Sequence, residues 1–231
     1  MKIAFSTLAC PDFSWTDIYS MAKDLGFNGI EIRGLGNDIF SVKARPFTEK
    51  ELPKTIEKLN KLGLEIPCFS SGACLKFKYQ EAETIEEITE YAKLASKLNT
   101  PYIRILADLE PGPEGEVDDN YIIEVLKKLI PIAEEYRVTL LVETNGVYSD
   151  TKRLCKVLDS VGSDRIAALW DMHHPYRYMH ESPAETVKNL GSYIRYVHTK
   201  DSVMTESGAV SYKMMGEGDI PVYEMLEELK K

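Results

Sequence analysis

Three residues of metal-ligand type, Glu143, Asp171 and His198, each close a different apolar run: V-T-L-L-V-E-T-N, I-A-A-L-W-D-M-H-H and I-R-Y-V-H-T-K-D. Two carboxylates and an imidazole suit a divalent ion of intermediate hardness, with Mn²⁺ the first choice and Mg²⁺, Co²⁺ or Zn²⁺ as alternatives. Singly none is diagnostic, since a strand-end Glu more often sits at the surface or in an ion pair. Together they carry more, because Leu141, Leu169 and Tyr196 precede them by two positions and give all three the parity of inward-pointing residues. In D-M-H-H-P, His174 lies just past the strand end, where it can hydrogen-bond a substrate oxygen over the same opening. Lys200 shares the face of His198, and an ammonium there can neutralise an oxyanion. His173 and His180 read as loop histidines without partners, and Asp219 as the cap of the last helix.

The elements that must hold these residues are legible as an alternation. Strand-like runs at residues 2–7, 29–33, 65–70, 102–106, 139–143, 166–171 and 194–199 are separated by amphipathic stretches at 15–25, 49–62, 85–98, 120–136, 149–161 and 183–190. Gly26, Gly63 and Gly162 stand where left-handed helix ends are wanted, and Ser14, Thr48, Thr84 and Ser182 where helices begin. Seven strand-helix units closing on a parallel sheet point to an α/β (β/α)8 TIM-type barrel, whose reacting groups stand at the carboxyl ends of the strands. The competing open sheet would want a glycine-rich phosphate turn after its first strand, and S-T-L-A-C-P-D-F-S is not one. Alternation also turns Glu31 and Arg104 away from the isoleucines beside them. A charge inside a barrel must be partnered, so these two, and Glu143 with them, are expected to touch one another or to grip a substrate.

Composition narrows the partners. A net charge of −9 gives no general basic field for nucleic acid, and the 231 residues contain no apolar segment of the roughly 20 residues that span a bilayer. Cys10, Cys68, Cys74 and Cys155 show no C-x-x-C pairing, which favours reduced thiols and a cytoplasmic protein. No linker divides the chain, so a single domain over 1–231 is expected, with a polar loop at 110–119 after the fourth strand.

Through K-I-A-F-S-T-L, G-F-N-G-I-E-I-R, L-V-E-T-N, W-D-M-H-H, Y-V-H-T-K-D and M-G-E-G-D-I-P, nearly the whole chain resembles the xylose isomerase-like barrel superfamily, especially its sugar phosphate isomerase/epimerase branch. The resemblance implies that Glu143, Asp171 and His198 bind a divalent cation and that His174 contacts substrate or a second metal. It also implies a further metal-binding Glu at the end of an eighth strand. That strand and the last helix are not found before the chain ends in P-V-Y-E-M-L-E-E-L-K-K, so a truncated barrel, or one completed by another chain, is expected. The activity implied is a metal-dependent isomerisation or epimerisation of a sugar or sugar phosphate, in which Glu143 removes a proton next to a carbonyl to give an enediolate. An inosose dehydratase-like lyase and a non-catalytic sugar-binding remnant are the alternatives. Expected partners are a small sugar or polyol, with homo-oligomerisation open and neither nucleic acid nor membrane involved.

Overall fold

The computed structural model describes residues 1–230. Its elements alternate from the start: β1 (Ala4–Ser6), α1 (Trp15–Asp24), β2 (Gly29–Glu31), α2 (Leu52–Leu62), β3 (Cys68–Cys74), α3 (Glu81–Leu98), β4 (Tyr102–Leu106), α4 (Asp119–Glu135), β5 (Thr139–Glu143), α5 (Thr151–Val161) and β6 (Ile166–Asp171). Two consecutive helices, α6 (His173–Met179) and α7 (Pro183–Leu190), lead to β7 (Ile194–His198). A hairpin of β8 (Asp201–Met204) and β9 (Val210–Lys213) and the helix α8 (Val222–Glu228) complete it. β1 pairs with β2, and β3-β4-β5-β6-β7 lie side by side in sequence order in a parallel sheet, the arrangement of a TIM-type barrel. Among the described residues no eighth parallel strand follows β7. No helix among them is long and apolar enough to cross a membrane.

Two compact units can be distinguished. The first comprises Met1–Ala73, Phe77–Ile105 and Lys128–Leu140. Within it Gly29 and Ile32 bridge Glu65 and Phe69 in parallel, which brings β2 alongside the run that becomes β3. Gly29 is required there, since a Cβ would fall 2.8 Å from the Glu65 carbonyl oxygen. Three buried aromatic rings meet within the core of this unit. Phe69 meets Phe47 and Tyr91 at centroid distances of 5.7 Å each, in the tilted and edge-on geometries that rings prefer. The buried Tyr91 hydroxyl accepts the Ser41 backbone N–H at 3.1 Å, so its polar end is satisfied. α1 starts on a reciprocal cap between Ser14 and Asp17, and α2 ends at Gly63 with φ 67°. Thr84 and Thr48 do not cap as expected: α3 starts earlier, at Glu81, which leaves Thr84 buried inside the helix, and Glu51 takes the position before α2.

The second unit comprises Cys74–Lys76, Leu106–Lys127 and the chain from Leu141 onward. Every residue of β6 is buried. Beside it Trp170, Met172, Ile220 and Met225 form a core cluster against which Val187, Ile194 and Val197 pack. α5 is capped by Asp150, which accepts the Arg153 N–H at 3.0 Å. The Asp201 side chain ties the hairpin to the turn that follows it. Asp201 accepts four backbone N–H groups, from Ser202 at 2.8 Å, Gly216 at 2.9 Å, Gly218 at 3.0 Å and Ile220 at 3.3 Å. Its burial works to raise the carboxyl's pKa, but those donors prevail and hold it below the ordinary aspartate range. A carboxyl lowered on folding stabilises above the unfolded value, and that contribution is lost as pH falls through the folded one. Asp201→Ala leaves these donors without their acceptor and is expected to lower stability by about 2–4 kcal/mol, read as the urea midpoint at neutral pH. The wild-type advantage over the variant should shrink in acid below the aspartate range; a gap that stays constant there would show that the carboxylate charge is not what holds the turn.

Candidate metal centre

Parallel register sets the centre. Asp171 and His198 are directly paired at the ends of β6 and β7, and Glu143 ends β5, the strand on the other side of β6. One ligand atom from each of the three lies within 4.8 Å of the others. His198 Nδ1 stands 3.4 Å from Glu143 Oε1. Glu143 and Asp171 are buried, at 6% and 2% exposure, while His198 is only partly covered, so the group opens on the imidazole side. Two oxygen donors and one borderline nitrogen donor, brought this close and largely removed from water, form a donor set that fits a divalent ion such as Mn²⁺, Co²⁺, Zn²⁺ or Mg²⁺.

The surrounding bonds fix Asp171 in place. Its Oδ1 accepts the His173 N–H at 2.9 Å and its Oδ2 accepts Lys200 Nζ at 2.8 Å. Thr144, one residue past Glu143, closes a second loop of bonds around it. The Asp171 N–H donates to Thr144 Oγ1 at 2.9 Å, and that hydroxyl donates to the Asp171 carbonyl at 3.2 Å. Burial alone would raise the Asp171 carboxyl's pKa, but its electrostatic interactions with the His174 ring and the Lys200 ammonium hold the group below the ordinary range. Asp171 is therefore an anion at neutral pH.

His174 lies over the same opening, 4% exposed. Lys200 Nζ stands 2.8 Å from His174 Nε2, and an ammonium can only donate, so Nε2 accepts. The ring proton then sits on Nδ1, which donates to the Thr144 carbonyl at 3.1 Å. Burial pushes the His174 imidazole down in pKa, in keeping with this neutral tautomer. For Lys200 burial works against the charge, but Asp171 outweighs it and keeps the ammonium above the ordinary lysine value.

Sequence reasoning left His173 without a role, and the structure corrects that. The residue opens α6 fully buried, with Nε2 2.9 Å from Ser202 Oγ. Burial drives its imidazole down to about 4, so it is neutral at physiological pH. Arg177 donates to Ser202 Oγ at 3.0 Å and to the Ser202 carbonyl at 2.6 Å, and it also pairs with Asp219. Asp219, expected to cap the last helix, therefore anchors the hairpin through Arg177. A contact between Ser202 and His173 spans 29 residues and carries no local signal.

Glu31 and Arg104 lie in the first unit, both buried. Glu31 Oε1 accepts the Ser70 hydroxyl at 2.9 Å, and Arg104 Nη1 donates to the Ser71 carbonyl at 2.9 Å. Each thus bonds to a group of β3.

The family model described as xylose isomerase-like TIM barrel matches residues 20–231. No curated protein matches the chain. Among solved structures, an IOLI protein with a bound zinc atom is 18% identical with a TM-score of 0.81, over 100% of this chain and 84% of that one. The probable 3-DHS dehydratase AsbF of Bacillus anthracis is 20% identical with a TM-score of 0.78, over 100% and 89%. The 3-keto-D-glucoside 4-epimerase YcjR of E. coli is 14% identical with a TM-score of 0.77, over 100% and 87%. At these identities the likeness is one of fold.

Proposed function

We propose that this chain, which belongs to the xylose isomerase-like TIM barrel family, is a divalent-metal-dependent isomerase or epimerase of a sugar or sugar phosphate. The observation that carries the reading is the convergence of Glu143, Asp171 and His198, with ligand atoms within 4.8 Å, at the carboxyl ends of three adjacent parallel strands. An ion held by these residues would polarise a substrate carbonyl and acidify the neighbouring C–H. Glu143 then takes that proton, since its carboxylate is buried among polar groups and has His198 within 3.4 Å to steady it. Lys200 supplies a positive charge to the oxygen that becomes negative, and His174, accepting through Nε2, holds that ammonium in place. Protonation of the same carbon on its opposite face inverts it; delivery to the adjacent carbon exchanges aldose and ketose.

The same abstraction followed by loss of a β-hydroxyl would be a dehydration, and a structural relative is described as a probable dehydratase. Product analysis separates the two. With Mn²⁺ supplied, α-deuterated ketoses and inososes should lose label to solvent, with an epimer or isomer as product for an isomerase and an enone for a dehydratase. Tight ion uptake with no label release from any member of the panel would sink the catalytic reading and leave a sugar-binding protein.

A further inference from the structure

Two groups of ligand-type residues share Asp171. Beside the group with Glu143 and His198 stands a second one, Asp171, His173 and His174, whose donor atoms also lie within 4.8 Å of one another. All three residues are buried, at 2%, 0% and 4% exposure. Lys200 Nζ lies 2.8 Å from Asp171 Oδ2 and 2.8 Å from His174 Nε2, so an ammonium stands at two of the three donors that a metal ion would need. A second, independent feature belongs to the same group. His173 Nδ1 is buried with no hydrogen-bond partner, a cost that native interiors rarely carry without a reason.

We infer that Asp171, His173 and His174 form a second cation position, and that Lys200 fills it as a tethered monovalent ion. The inference rests on the preceding reading of Glu143, Asp171 and His198 as the divalent site, because Asp171 would bridge the two. With the ammonium in place, a second divalent ion would sit within bonding distance of a like charge, so it is excluded. The lysine thus makes the centre mononuclear. It also sets the charge beside the ion at one unit and attaches it to the protein, so that this charge is independent of metal supply. A ligand bridging the two cations would present two adjacent oxygens, one to the ion and one to Nζ, as a carbonyl with a neighbouring hydroxyl does.

The number of Mn²⁺ ions bound per chain decides it, measured by calorimetric titration with metal analysis of the dialysed protein. Wild type is expected to take up one ion, and Lys200→Ala two. Lys200→Arg keeps the cation and should still bind one. Should Lys200→Ala fail to fold, Lys200→Gln removes the charge at a smaller loss of volume and is read the same way. Adding His174→Ala to the lysine-free variant should abolish the extra ion. A gain of one ion on loss of the lysine charge supports the inference; a folded lysine-free variant with no gain overturns it. Wild type that binds no ion sinks the divalent-site reading of the preceding section, and the gain or its absence in the variant still decides the second position.

Discussion

Glu143→Gln is expected to slow exchange of the substrate α-proton with solvent by about 10²–10⁴-fold, the range over which a positioned general base contributes. The substitution is nearly isosteric, and β5 keeps its buried position because its backbone bonds do not involve the side chain. An amide oxygen still faces His198, 3.4 Å away in the wild type, but it does not take up a proton. Loss of a negative ligand also weakens ion binding, so the measurement is made at saturating Mn²⁺, where a defect in the chemical step persists and a defect in affinity does not. Deuterium wash-in followed by NMR reads the step directly. Exchange within a few-fold of wild type at saturation would remove Glu143 as the base and return it to the role of ligand.

How much of this was legible beforehand follows the range of each interaction. β4, β5 and β6 were read to the residue, since each is an alternating or fully apolar run ending at a polar residue. The expected strand at 65–70 is displaced in the structure to Cys68–Cys74. Pro67 has no N–H to give a ladder, so Glu65 makes only an isolated bridge to Gly29 and regular pairing starts one residue past the proline. The β8–β9 hairpin was missed altogether. Its strands have four residues each, and its turn is closed by Thr205 Oγ1, which donates to the Ala209 carbonyl and accepts the Ala209 N–H, rather than by an Asn-Gly signal. For the site, residue type and parity brought out the convergent trio and placed Lys200 near it. What they did not show is which carboxylate the lysine chooses, or that Thr144 braces both Asp171 and His174. Those choices depend on rotamers and on strands meeting across the sheet, neither of which leaves a local trace.

Removing the shared carboxylate should have the broadest effect. Asp171→Asn is expected to weaken Mn²⁺ binding by at least about 100-fold, the upper end of what loss of a merely supporting partner costs, because here a ligand itself loses its charge. The amide also has no good orientation. With its oxygen on the His173 N–H, its NH₂ faces the Lys200 ammonium; flipped, the NH₂ faces the His173 N–H instead. Either way two donors oppose each other in a buried site, at a cost of about 1–3 kcal/mol in the metal-free protein. Thermal melts with and without metal separate the two effects. An ion that binds only the folded wild type stabilises it by about 2.7 kcal/mol at a hundred times its dissociation constant. The variant should melt lower than wild type without metal and gain at most about 0.4 kcal/mol when Mn²⁺ is added at that concentration. A rise equal to that of wild type would mean that the ion is held elsewhere, and with it would go the role of Asp171 as the residue on which both cation positions depend.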